Sequence, residues 1–152
     1  MSRLVWLAAG LVGASLVLCG CTQGSSENAR SGDDDQPARL VTVEGSELKG
    51  VVLTARATQR LDIKSEPVRQ VPAPGATTPE TAVPVAALVY DKNGEVWVYT
   101  STQPHRYVRQ RVAVERIDGD LAILESGPAA GTLVVTVGAA ELLGTEYGVE
   151  GQ

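Results

Sequence analysis

The sequence predicts an all-β fold with minor α content: a small antiparallel β-barrel-like domain with one or two short helices. Turn signals recur at intervals of roughly 8–12 residues through the second half of the chain, the spacing of short antiparallel strands. Every regular apolar run after Val85 is short and bounded by turns. The composition agrees, with 16 Gly, 8 Pro, no Phe and only 4% aromatics in 152 residues, a Val/Ala-rich core cut by turns.

Taken in order, ordered sequence begins near Arg39, with a strand-like start at Leu40, Val41 and Val43 and a second apolar run at Val51, Val52 and Leu53. Thr54 is placed to cap a short helix through Ala55, Thr58, Gln59 and Leu61, which needs a sheet to pack against because so short a helix cannot hold itself. A closing strand ends at Val71. Residues 72–84, PAPGATTPETAVP, carry four prolines without apolar periodicity and are expected to be an extended surface linker.

Ala87–Tyr90 and Glu95–Tyr99 flank Asp91-Lys92-Asn93-Gly94, a hairpin turn with Gly placed for positive φ. One long strand is expected from Tyr107 to Ile117. Along it Val108, Val112 and Val114 share one face, and Tyr107, Arg109, Arg111 and Ala113 the other. Asp118-Gly119-Asp120 turns the chain into Leu121–Glu125, and residues 127–131 break it before Leu133–Val137. A short helix from Gly138 to Leu143 is expected to stop at Gly144.

The first 20 residues read as a secretory leader: Arg3 in a short n-region, an apolar run from Leu4 to Leu18, then small residues. That run falls short of the roughly 20 residues needed to span a bilayer. Residues 21–38 lack hydrophobic periodicity and are rich in Ser, Gly, Asp and Gln, as expected of a disordered membrane tether, leaving 39–152 as the folded domain. Asp33, Asp34 and Asp35 lack the Gly and terminal Glu spacing of a calcium loop and are expected to be a solvated charge run.

The formal net charge of −5 argues against nucleic acid as a partner. One His, and no free thiol once the leader is gone, leave the usual zinc, copper and iron–sulfur ligands missing, so no cofactor or metal is expected. His105 has no sequence-evident nucleophile or acid partner, and no nucleophile elbow, P-loop, dinucleotide glycine pattern or H-E-x-x-H occurs; the chain is not expected to be an enzyme. Trp97, Tyr99 and Tyr107 suit either core bulk or an aromatic ligand surface. Arg106, Arg109, Arg111 and Arg116 suit either ordinary exposed-strand positions, partly paired with Glu115, or a basic patch toward lipid headgroups or an acidic partner.

Leu18-Cys19-Gly20-Cys21 resembles the lipobox of bacterial lipoproteins. The resemblance implies that Cys21 is acylated on sulfur and becomes the first residue, anchoring the domain to the extracytoplasmic face of the cell membrane. Further along, VPVAALVYD with GEVWVY, RQRVAVERIDGDLAIL, SGPAAGTLVVTVGAAELLGTEYGV and the earlier LTARATQRLDIKSEPV together resemble the C-terminal part of periplasmic adaptor subunits, the membrane fusion proteins of tripartite efflux systems. The likeness covers roughly residues 51–71 and 82–150. It implies a membrane-proximal β-domain that associates with a transport or efflux component; Arg109 and Arg111, alternating outward with Tyr107 while Val108 and Val112 face the core, are the candidate partner surface. The lipoyl-like module and long helical hairpin of full adaptors are missing, and the Pro-rich stretch stands where they would be. The alternative, from a different class, is a surface lipoprotein that binds a small ligand.

Overall fold

A computed structural model describes residues 36–73, 75 and 77–150, with side chains described to residue 148. The leader, Cys21 and nearly all of the predicted tether lie outside the described residues.

The fold is mainly antiparallel β-sheet with little helix, as predicted, but it is two packed sheets rather than a closed barrel. The larger sheet runs β1 (Ala38–Thr42), β2 (Lys49–Leu53), β8 (Arg106–Arg111), β7 (Val96–Gln103), β11 (Leu133–Val137), β3 (Lys64–Pro67), with β6 (Val89–Tyr90) also on β7. The smaller sheet runs β4 (Arg69–Val71), β5 (Glu80–Pro84), β10 (Leu121–Ser126), β9 (Ala113–Asp118). α1 spans Ala55–Arg60 and α2 spans Ala139–Glu150.

Strand alternation sends successive side chains of the larger sheet into two different cores. Trp97, Tyr99, Val51, Leu53, Tyr107 and Val135 pack beneath the helices with Ala57, Ala139 and Leu142. Val98, Val134 and Val112 pack with Val83, Ala122 and Leu124 of the smaller sheet. The larger sheet is therefore covered on both faces, and the predicted division of β8 into a buried valine face and an outward face does not hold. Tyr107 is 4% exposed.

The predicted Tyr107–Ile117 strand is two strands in different sheets. Val112, buried and donating its backbone N–H to the Val96 carbonyl (3.0 Å), is the corner between them. The predicted linker 72–84 is also partly strand. Glu80–Pro84 is β5, held between β4 and β10 with Ala82 and Val83 fully buried. Its prolines are placed so that no ladder bond is lost, Pro79 just before the strand and Pro84 at its last residue. The strand expected from Ala87 begins only at Val89, after a 3-10 turn over Val85–Ala87.

Thr54 caps α1 as predicted, its Oγ1 accepting from the Ala57 N–H at 3.1 Å. The hairpin turn places Gly94 at φ +79°. α2 does not stop at Gly144 but continues to Glu150. A glycine inside a helix costs roughly 1 kcal/mol relative to alanine; Leu142 and Glu146, both buried on either side of Gly144, hold the helix to the sheet.

Candidate functional site

β7 and β8 pair so that Tyr99 lies opposite Arg109 and Trp97 opposite Arg111. All four side chains, with Tyr107, belong to the face that α2 covers. Arg109 reaches diagonally across the ladder, its guanidinium carbon 4.7 Å from the Trp97 ring centroid. From above, α2 lowers Glu146, 2% exposed, onto the same spot. Tyr99 Oη donates to Glu146 Oε2 at 2.6 Å, and Arg109 Nε stands 3.0 Å from Oε1. That last contact is an ion pair whose N–H is not aligned for a hydrogen bond. Arg109 Nη1 also donates to Tyr147 Oη at 3.4 Å.

A carboxylate this buried is tolerated only when charge and lone pairs are answered. Glu146 is answered on both oxygens. Burial, followed by the Glu146 carboxylate, pushes the Tyr99 phenol far above its ordinary value of 10.0. Nearby, Asp91 Oδ1 accepts from the backbone N–H of Asn93 (2.8 Å) and Glu95 (2.9 Å). Desolvation raises the pKa of this carboxyl, but the backbone donors of Glu95 and Asn93, together with Trp97 and the Arg109 charge, hold the group below its usual range. The buried Trp97 Nε1 adds to that downward pull without making a well-formed hydrogen bond of its own.

The predicted partner surface is thus divided. Tyr107 is core, pushed above the usual phenol range by burial against an opposing hydrogen bond to Thr58. Arg109 is largely enclosed, its side chain 15% exposed. Only Arg111 is open to solvent, paired with Glu95 at 2.8 Å. Trp97 and Tyr99 are core residues as well. Sequence reasoning missed Glu146: it lies in the terminal Glu-Tyr-Gly noted in the resemblance, but one acidic residue in a Gly-interrupted stretch announces no burial. Arg116 clasps Glu80 with both terminal nitrogens, joining β9 to β5, and this hydrogen-bonded pairing lowers the Glu80 pKa.

At the other end of β7 and β8, His105 adopts φ +60° and its Nδ1 lies 2.9 Å from Thr58 Oγ1. The same hydroxyl lies 3.1 Å from the Thr54 carbonyl oxygen. Beside it opens a cavity of about 410 Å³ with apolar walls of Pro37, Leu53, Ala57 and Leu61, and with Arg60 and Thr145 as its polar groups. Cys21 lies outside the described residues.

The Tyr99–Glu146–Arg109 group is a fastening. Each Glu146 oxygen meets a partner within the protein, Tyr99 Oη at one and Arg109 Nε at the other. No protein family, curated protein or solved structure matches the chain.

Proposed function

We propose that the protein is a lipid-anchored, extracytoplasmic, adaptor-like domain that acts without catalysis, associating with or modulating a membrane transport or efflux complex. The observation that carries this reading is the pairing of Val71 with Glu80. The two adaptor-like stretches, 51–71 and 82–150, interleave in both sheets: β2 with β8, β3 with β11, β4 with β5. Only the short excursion between Val71 and Glu80 separates them, and its two ends are neighbours across one ladder. A site where a whole module is inserted in, or lost from, a β-domain needs such adjacent ends. The missing lipoyl-like and hairpin modules would fall at that position.

Crosslinking in intact membranes followed by mass spectrometry tests the reading. A transporter component among the partners, retained after metal chelation, is the expected result; a crosslink map without any transport protein overturns it. The alternative of a small-ligand-binding lipoprotein draws on the cavity beside α1, whose size and mainly apolar walls fall in the range of small-molecule sites.

A further inference from the structure

Three segments meet where the chain enters the larger sheet. The Thr54 N–H donates to the Pro37 carbonyl (3.0 Å) and the Leu53 N–H to the His105 carbonyl (2.9 Å). These bonds bring residues 36–39, 52–60 and 101–107 to one end of the domain. They contain Arg39, Arg56, Arg60 and Arg106 and not one Asp or Glu, in a chain of net charge −5. Arg39 and Arg106 both stand opposite Val52, on β1 and β8, so they flank it on the face of the sheet turned away from α1, at the rim that α1 overhangs from the other side. Arg56 and Arg60 are four apart on α1, both exposed, on one side of the helix.

None of the four is ion-paired among the described residues, whereas Lys64, Arg69, Arg109, Arg111 and Arg116 all are. Asp62, just past α1, is taken by Lys64. The opposite end of the same sheet is mixed in charge, with Glu44, Glu47, Asp91 and Glu95 beside Lys49, Lys92 and Arg111.

We infer that this arginine end is a docking surface for the anionic phospholipid headgroups of the membrane that carries the protein. The inference rests on the reading of Cys21 as the anchor. Residues 21 to 36 can span at most about 3.3–3.6 Å each, which keeps the arginine end within roughly 50 Å of the acylated sulfur. The end of the domain nearest the bilayer along the chain is therefore the cationic one. Basic groups within a Debye length of an anionic leaflet are drawn to it.

The chain from Cys21 to Gln152 contains one thiol and every described residue. Coupling Cys21 to a maleimide-headgroup lipid recreates an anchor whether or not cells acylate it. Hydrogen exchange is then compared on vesicles of phosphatidylcholine alone and with one third phosphatidylglycerol. Exchange several-fold slower at 54–60 and 103–106 on the anionic vesicles is expected, reversed by high salt and absent in R39Q/R56Q/R60Q/R106Q with an unchanged melting curve. Equal exchange on both vesicles overturns the inference, as does unaltered protection in the quadruple variant.

Protection that appears only in D33N/D34N/D35N also overturns it, because the chain's own acidic run, not the membrane, would then be the occupant. If the quadruple variant melts early, the salt dependence and lipid dependence of the unaltered chain decide. Membrane retention of Cys21→Ala is scored separately: its persistence sinks the anchor reading and leaves the vesicle result standing.

Discussion

Among the described residues, Arg109 on β8 and Glu146 on α2 form the one ion pair in which the carboxylate is almost wholly enclosed, 2% exposed, between the helix and the sheet. Replacing one partner leaves the other charge buried and unanswered, which costs about 3 kcal/mol or more. Glu146→Ala should therefore lower stability by roughly that amount, while Tyr99→Phe should cost only about 1 kcal/mol. Urea denaturation of both single variants and the double variant measures this, and additive effects would mean that the two side chains do not interact.

The same arrangement separates two arginines that alternate along one strand. Arg109→Glu brings like charges together beside Glu146 and should destabilise by about 3 kcal/mol or more. Arg111→Glu loses only an exposed pair with Glu95, worth at most about 1 kcal/mol. Thermal melting of each variant checks the difference. Of the two, only Arg111→Glu is a fair probe of partner contact, since its fold should survive.

Alkaline stability follows from Tyr99. Its folded pKa lies above the ordinary 10.0, raised by burial and then by Glu146, so the folded chain keeps a proton that the unfolded chain releases. The contribution is complete below about pH 10 and is lost as pH rises beyond it, by up to about 1.4 kcal/mol per pH unit. Tyr107, shifted the same way, adds to the slope. Melting temperature against pH from 9 upward should fall less steeply for Tyr99→Phe; identical slopes would contradict the assignment.

Two glycines at positive φ differ in a testable way. Gly94, at φ +79°, has open space around a prospective Cβ, so Gly94→Val should cost about 1 kcal/mol from backbone strain. At Gly138, φ +88°, a Cβ would lie 2.1 Å from Ile63 Cδ1. Gly138→Ala should cost clearly more, about 2–4 kcal/mol, because strain and a clash combine. Equal melting temperatures would refute this.

Lengthening the β4–β5 loop should be nearly free. Each doubling of a flexible loop costs only about 0.6 kcal/mol, so a Gly/Ser insertion at the exposed Gly75 should leave the melting temperature within a few degrees. A large loss would show that residues 72–79 brace the smaller sheet.

Local chemistry was readable where one residue type suffices: the Thr54 cap, the Gly94 turn, the short apolar runs of β10 and β11. Contacts that depend on distant partners were not. Ala82-Val83 is too brief an apolar pair to announce β5, and its burial comes from β10 alongside it. Arg109 and Arg111 look alike in an alternating strand, and only the helix above separates them. Val112 reads as one more valine within a strand, although the chain changes sheets there. Gly144 signals a helix end that the buried Glu146 overrides.

The strand order also bears on how the domain assembles. β3 finds its partner in β11, the last strand made, and β2 finds β8. β3 therefore has no strand to join until the chain is almost complete, and such distant pairings are slow to form. Closure of the larger sheet is thus set by its most distant pairing, β3 with β11, and an edge of that sheet stays open until β11 is in place.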